Sequence, residues 1–135
     1  ISAAIVDLSP VGKCLPLTIS NSLEALSYLP FKHVRQLPEW GSIFSRYVYF
    51  IRPEGQDELL RFLKIVDDYL YILSDFSASS QPDTDTNNAS LERCNYQRLY
   101  CLQQKRNDKT RNVLSKAFNA EWADRYINTL LFDSP

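Results

Sequence analysis

The spacing of apolar residues predicts two strands and a short helix in the first third of the chain. Residues 1–8 are mostly small and apolar and stop at a proline, which predicts a strand followed by a turn. Between residues 20 and 29, leucines recur at every third position, which predicts a short helix. Residues 43–52 are rich in β-branched and aromatic side chains and lack glycine and proline. They predict a second strand, covered on both faces.

The rest of the chain has mainly helical patterns. A long amphipathic helix is predicted over 56–76, with Glu58 on its polar side. Its apolar stripe is Leu59, Phe62, Leu63, Val66, Tyr69, Leu70, Leu73 and Phe76. Residues 77–89 are almost entirely polar and predict a solvated loop. Further helices are predicted over 90–106, 109–118 and 120–132. We expect Asp108 to cap the second of these.

The last two predicted helices have apolar faces that we expect to be buried. Their inward residues would be Val113, Leu114, Ala117, Phe118, Trp122, Tyr126, Ile127, Leu130 and Leu131. Two strands, however, cannot bury both faces of a sheet by themselves. The chain also opens with an apolar, strand-like run that has no initiator methionine. We therefore expect the missing strands to come from an amino-terminal half upstream of residue 1 or from a partner chain.

Composition excludes several function classes. Fifteen basic and sixteen acidic residues leave a net charge of −1, which does not indicate a nucleic-acid-binding protein. The apolar runs are far shorter than the roughly 20 residues that cross a bilayer, so no transmembrane segment is predicted. Three cysteines and one histidine, His33, show no metal-ligand spacing. We expect no metal site, reduced thiols and a surface position for His33.

Candidate chemistry is concentrated at a break between two predicted helices. Asp108 lies between Asn107 and Lys109, and a carboxylate beside cations at a helix start normally stays ionised. An apolar ligand that desolvated it would favour the protonated form, which could donate a proton. The same position also suits a plain helix cap. Arg35, Lys109 and Arg111 could pair with ligand carboxylates or remain solvated surface charges. Several aromatic residues, Phe50 among them, could line a flat apolar ligand or belong to the core.

Three segments carry a resemblance to a known family. Ser2–Pro10 reads SAAIVDLSP, Leu37–Pro53 reads LPEWGSIFSRYVYFIRP, and Gln103–Asp133 reads QQKRNDKTRNVLSKAFNAEWADRYINTLLFD. In this order and spacing, they resemble ferredoxin-dependent bilin reductases over essentially all 135 residues. The NDKTR run that begins at Asn107 is similar to the branch of the family that forms phycocyanobilin.

The resemblance implies an α/β fold, a three-layer α/β/α sandwich with a central, mostly antiparallel sheet. This chain would supply its carboxyl-terminal half, with the bilin between the sheet and the carboxyl-terminal helices. The implied reaction reduces biliverdin to a phycobilin, phycocyanobilin in this branch. Reduced ferredoxin would give single electrons, side chains and water would give protons, and no cofactor would be bound in the protein. The implied location is the cyanobacterial cytoplasm or the plastid stroma.

The resemblance also implies roles for individual residues. Asn107 and Asp108 match the family's Asn-Asp pair at the pocket mouth, where the Asp assists proton transfer in several members. Arg35 and Lys109 match basic residues that hold the bilin propionates. Weaker contacts are expected from Ser2, Gln104 and Trp40. Asn119 replaces a residue that is normally glycine, and asparagine also tolerates a positive φ.

One departure from the family pattern leaves the activity of this chain open. The family's principal proton-donating His and Asp, and its second essential carboxylate, match no residue here, so the 135 residues alone are expected to be inactive. One alternative is a truncated, non-catalytic relative that serves as a structural subunit of a light-harvesting or photosystem assembly. Another is a module that binds a bilin without reducing it.

Overall fold

The computed structural model describes residues 1–82, 84 and 87–133. The chain divides into two compact units, Ile1–Asp83 and Thr84–Pro135. The first unit contains strands β1 and β2, helices α1 and α2 and a 3₁₀ helix, at Ala4–Val6, Tyr49–Ile51, Leu17–Glu24, Gly55–Ser79 and Glu39–Ile43 respectively. The second contains helices α3, α4 and α5 and a π-helical turn, at Asn88–Gln104, Asp108–Ala117, Ala120–Tyr126 and Ile127–Leu131.

The small sheet of the first unit is antiparallel, with β2 between two neighbours. The β1–β2 pairs are Ala4 with Ile51, Ile5 with Phe50 and Val6 with Tyr49. On the other side of β2, Val34 forms an antiparallel bridge with Ile51. There the backbone N–H of Arg35 donates to the carbonyl of Phe50 at 2.8 Å. β2 thus holds together two segments that are distant in sequence.

The core of the first unit lies on one face of this sheet, against α1 and α2. Its members are Leu15, Ile19, Leu23, Phe31, Ile51, Phe62, Ile65 and Tyr69. Ala4 and Val6 pack against this cluster, while Ile5 between them is exposed. Because successive strand residues point to opposite faces, Ile5 and its partner Phe50 lie on the face away from the core.

The strand predicted over 43–52 is wrong for its first six residues. The 3₁₀ helix occupies 39–43, and β2 begins only at Tyr49. Asp7 explains part of the difference, because its carboxylate accepts the backbone N–H of Ser45 at 3.0 Å and its hydroxyl at 2.5 Å. This side-chain pairing replaces a strand ladder at Ser45. The first strand is likewise shorter than 1–8, and the helix predicted over 20–29 lies at Leu17–Glu24, after Pro16.

Helix α2 is longer than predicted and buries a different stripe. Its most buried residue is Ile65, which is 0% exposed and was not in the predicted stripe, whereas Leu63 and Leu70 are about half exposed. Glu58, predicted on the polar side, is buried. Its carboxylate accepts backbone N–H groups, so its burial leaves no unpaired charge-bearing oxygen in the core.

The second unit has short helices with side-chain caps. Asn107, and not Asp108 as predicted, caps α4 by accepting the N–H of Thr110 at 3.3 Å. Asn119 caps α5 by accepting the N–H of Trp122 at 2.8 Å. The φ of Asn119 is −173°, so this position is extended rather than left-handed.

Helices α4 and α5 pack against each other. The buried residues there are Ala123 and Ile127, while Val113, Phe118 and Leu130, predicted inward, are more than half exposed. Two helices this short cover only the faces they share. Among the described residues, no helix is both long and apolar enough to cross a membrane. The described strands form a two-stranded antiparallel sheet, and the three-layer sandwich stays a prediction.

Candidate functional site

The sheet face away from the core brings together two of the predicted site residues. The guanidinium of Arg35 lies over the ring of Phe50, with its Cζ 5.2 Å from the ring centroid. Its Nη1 donates a 2.8 Å hydrogen bond to the backbone carbonyl of Ser2. Cross-strand partners share a face, so Ile5 lies beside Phe50. We call the set Ser2, Ile5, Arg35 and Phe50 the Arg35 face.

The Arg35 face combines one cation with apolar surface. Within the part of the chain that the structure describes, no carboxylate pairs with Arg35. A guanidinium has five N–H donors in a planar fork that matches a carboxylate in a bidentate manner. One of these donors is engaged by Ser2. The arrangement therefore suits a largely apolar ligand that carries a carboxylate.

Trp40 occupies a separate position in the first unit. It lies on the 3₁₀ helix, half-buried, with its ring centroid 5.9 Å from that of Phe44. Gly41 beside it is buried, and a Cβ there would come within 3.0 Å of the Leu37 Cβ. Among the described contacts, none joins Trp40 to Arg35. The aromatic pair is well supported, but its link to the Arg35 face stays a prediction.

The remaining predicted residues lie at the junction of α3 and α4 in the second unit. Asp108 and Lys109 are exposed in the first turn of α4. The Asn107 side-chain oxygen is engaged in the helix cap. A carboxylate in the first turn is favoured by the helix dipole. Asn107 thus positions the backbone from which Asp108 and Lys109 project.

Further hydrogen bonds hold this junction. Gln104 Nε2 donates to the hydroxyl of Tyr100 at 3.0 Å. Arg111 Nη2 donates to the carbonyl of Lys105 at 3.1 Å, and its guanidinium also pairs with Asp124 on α5. Arg111 therefore has a structural partner, in contrast to the exposed Lys109. Of the two, Lys109 is the better candidate for a ligand carboxylate.

One residue of the Arg35 face was not found by sequence reasoning. Ile5 sits in the run Ala4-Ile5-Val6, where every residue is apolar. Strand alternation reveals an outward residue only when it is polar, so the pattern held no signal for it. Phe50 was one of several aromatic candidates, and only the register of β2 places it under Arg35.

The comparison with known families decides the identity. A family model described as ferredoxin-dependent bilin reductase matches residues 1–133. The chain belongs to the ferredoxin-dependent bilin reductase family. This confirms the resemblance carried by the three sequence segments.

Individual bilin reductases are similar over the full chain. It is 55% identical over 135 residues to the phycocyanobilin:ferredoxin oxidoreductase of Prochlorococcus marinus (strain SARG / CCMP1375) and to that of Synechococcus sp. (strain CC9902). The enzyme of the same name from Trichodesmium erythraeum (strain IMS101) is 47% identical over 137 residues. Each alignment covers 100% of this chain and 55% of the relative. The chain thus spans about half the length of these bilin reductases.

Among residues 1–82, 84 and 87–133, no group of three or more His, Cys, Asp or Glu side chains is arranged to hold a metal ion. The described cysteines, Cys14, Cys94 and Cys101, are free thiols. The candidate chemistry of this bilin reductase chain therefore rests on its cations, its carboxyl groups and its apolar surfaces.

Proposed function

We propose that this chain is part of a bilin reductase that reduces biliverdin to phycocyanobilin with electrons from ferredoxin. The family match over residues 1–133 carries the proposal. The names of the relatives, at 47–55% identity, support phycocyanobilin as the product and ferredoxin as the donor. In this proposal the chain forms one side of an α/β/α sandwich, and the enzyme works in the cyanobacterial cytoplasm or the plastid stroma.

The bilin is held by its propionates and by its flat, apolar body. The Arg35 face offers a guanidinium above Phe50, which supports binding of one propionate next to apolar surface. Lys109 is an exposed ammonium that can serve the second propionate. Gln104 and Trp40 add a polar contact and a wall, respectively. The two cations would orient the tetrapyrrole, because charge pairs on both propionates prevent rotation about its long axis.

Protons must accompany the single electrons that ferredoxin supplies. Each electron taken up by the bilin leaves a radical whose charge is neutralised when a proton is added. Asp108 is the candidate donor within this chain: it is exposed without a ligand, and a bound bilin would desolvate it and favour its protonated form. Asn107 holds the helix start in place. The family's other proton donors match no residue of these 135.

A chimera tests the proposal directly. The 135 residues replace the aligned segment of the Synechococcus sp. (strain CC9902) enzyme, which serves as the positive control. Under anaerobic conditions with reduced ferredoxin, we expect loss of the biliverdin absorption bands and phycocyanobilin as the product on chromatography. A folded chimera that binds no biliverdin contradicts the proposal. Binding without reduction identifies a pigment-carrying module instead, and another product places the chain in another branch.

The role of Asp108 is tested in the same chimera. Asp108→Asn keeps the size of the side chain and removes the proton, so turnover should fall on the order of 100-fold, the lower end for general-acid catalysis. The dissociation constant for biliverdin should change little. Asp67→Asn, at an exposed position of α2, is the matched control. Equal turnover in both variants would exclude Asp108 as a proton donor.

A further inference from the structure

We propose that Phe50 is a positioning residue, which together with the Ser2 carbonyl orients the Arg35 guanidinium for a ligand carboxylate. The inference rests on the proposed function, because the carboxylate it concerns is a bilin propionate. Phe50 itself need not touch the reacting atoms. Its role is exercised through Arg35.

Arg35 is attached to the sheet at both ends of its side chain. At its backbone, the N–H donates to the Phe50 carbonyl at 2.8 Å. At its tip, the Cζ is 5.2 Å from the Phe50 ring centroid, within the ~6 Å at which a cation is attracted to a ring face. The bond from Nη1 to the Ser2 carbonyl adds a contact beyond the ring. Ring and carbonyl together fix the position and the plane of the guanidinium.

The partners of Arg35 distinguish it from the other cations that lie over rings. Arg46 lies over Tyr47, 4.8 Å from its centroid, but also pairs with the carboxylate of Glu24. Arg61 lies over Phe31, which is a core residue. At Arg35 the only hydrogen-bond partner among the described residues is the Ser2 carbonyl, which is neutral and engages one donor. The positive charge of Arg35 is therefore held in place without being neutralised.

Such an arrangement favours binding because an arginine side chain has many rotamers to lose. A ligand that met a freely rotating guanidinium would have to order it during binding, and that entropy would reduce the affinity. Here the ordering is already done by the protein. Removing the ring should weaken the interaction with a carboxylate without removing the charge itself.

The test compares biliverdin with its dimethyl ester, which keeps the tetrapyrrole but carries no propionate charge. In the chimera, Phe50→Leu should weaken biliverdin binding about fivefold, equivalent to roughly 1 kcal/mol, and leave kcat close to wild type. Phe50→Tyr, which keeps the ring, should restore the affinity. The dissociation constant of the dimethyl ester should not change with Phe50→Leu. In an Arg35→Ala background, Phe50→Leu should have no further effect.

Pentafluorophenylalanine at position 50 separates the ring charge distribution from its shape. It keeps the ring but removes the negative face, so it should reproduce the loss seen with Phe50→Leu, even if that variant folds poorly. Phe76→Leu is the matched control, because Phe76 is partly buried and packs on the core with no cation over its ring.

Two results overturn the inference. One is an equal loss of affinity for biliverdin and its dimethyl ester, which would assign Phe50 a packing role. The other is a wild-type affinity for biliverdin in the pentafluoro protein. Either result leaves the proposed function standing if the wild-type chimera binds biliverdin. Failure of the wild-type chimera to bind any bilin would instead contradict the proposed function itself.

Discussion

The buried carboxylate of Glu58 on α2 accepts the backbone N–H of Lys32 at 3.0 Å, across 26 residues of sequence. Its second oxygen accepts the N–H of Glu54 at 2.7 Å, just before the helix begins. Lys32 closes the set with an ion pair to Glu54 at 2.9 Å. Glu58 thereby fixes the segment that leads to Val34 and Arg35 against the start of α2.

We expect Glu58 to make the first unit sensitive to acid. The N–H groups of Glu54 and then Lys32 stabilise the charged form and lower the pKa of Glu58. A folded-state pKa below the unfolded one stabilises the protein above the unfolded value, and that stability is lost as the pH falls through the folded pKa. Loss should therefore begin as the pH drops below about 4.3, the ordinary value for Glu.

Glu58→Gln tests this expectation by thermal denaturation of the full chain between pH 7 and pH 3. At pH 7 the variant should melt several degrees lower, because an amide oxygen accepts the two N–H groups less strongly than a carboxylate. Its melting temperature should also vary less over the acidic range. Asp67→Asn serves as the control on the same helix. A parallel pH profile for wild type and Glu58→Gln would show that the acid sensitivity has another source.

Gly55, the first residue of α2, should resist substitution by residues with a Cβ. Its φ is +75°, although no atom would lie within 4 Å of an added Cβ. The cost of Gly55→Ala is thus conformational, about 1 kcal/mol in the free energy of unfolding. Gly55→Asn should cost less, because asparagine tolerates the left-handed region. Urea denaturation measures both, and an Ala variant as stable as wild type would contradict the backbone argument.

Asn107 should contribute to the stability of α4 through its cap. Asn107→Ala removes the acceptor for the Thr110 N–H and should cost about 1 kcal/mol. Asn107→Asp or Asn107→Ser should retain most of it. Amide hydrogen exchange in α4 is the measurement, with Asn112→Ala as a control in an exposed position of the same helix. If the capping variants exchange at the same rate as Asn107→Ala, the side-chain cap does not stabilise the helix.

Arg35 and Lys109 should each contribute to biliverdin affinity through charge. A charge-assisted hydrogen bond contributes about 1.5–3 kcal/mol, so Arg35→Ala or Lys109→Ala in the chimera should weaken binding by about tenfold or more. Lys116→Ala, an exposed cation on α4, is the control. Because the dimethyl ester has no propionate charge, its affinity should be insensitive to both substitutions. Sensitivity of the ester would argue against propionate contacts.

The helices were the most predictable part of the fold. The helices predicted over 56–76, 90–106 and 109–118 are found with bounds that differ by three residues or fewer. Helical periodicity is a local property, so it can be read without knowing what the helix packs against. The buried side of α2 was less predictable: Ile65 is in the core, while Leu63, two positions earlier, is half exposed. That choice depends on how the helix rotates against the sheet.

The strand prediction failed because the deciding contact is distant in sequence. Residues 43–48 have strand-like composition, yet Asp7 engages both the N–H and the hydroxyl of Ser45. Composition reports what a segment prefers by itself, and tertiary contacts override that preference. The polar assignment of Glu58 failed for the same reason, since its partner Lys32 lies 26 residues earlier.

Sequence alone determined the family of this protein, the existence of its main helices and the cations Arg35 and Lys109 as candidates for binding carboxylates. These features depend on residue identity and local spacing. Tertiary structure decided that Phe50 lies under Arg35, that the Ser2 carbonyl receives its hydrogen bond and that Glu58 is buried. Each of these joins residues from separate segments, and only the register of β2 and the packing of α2 bring such segments together.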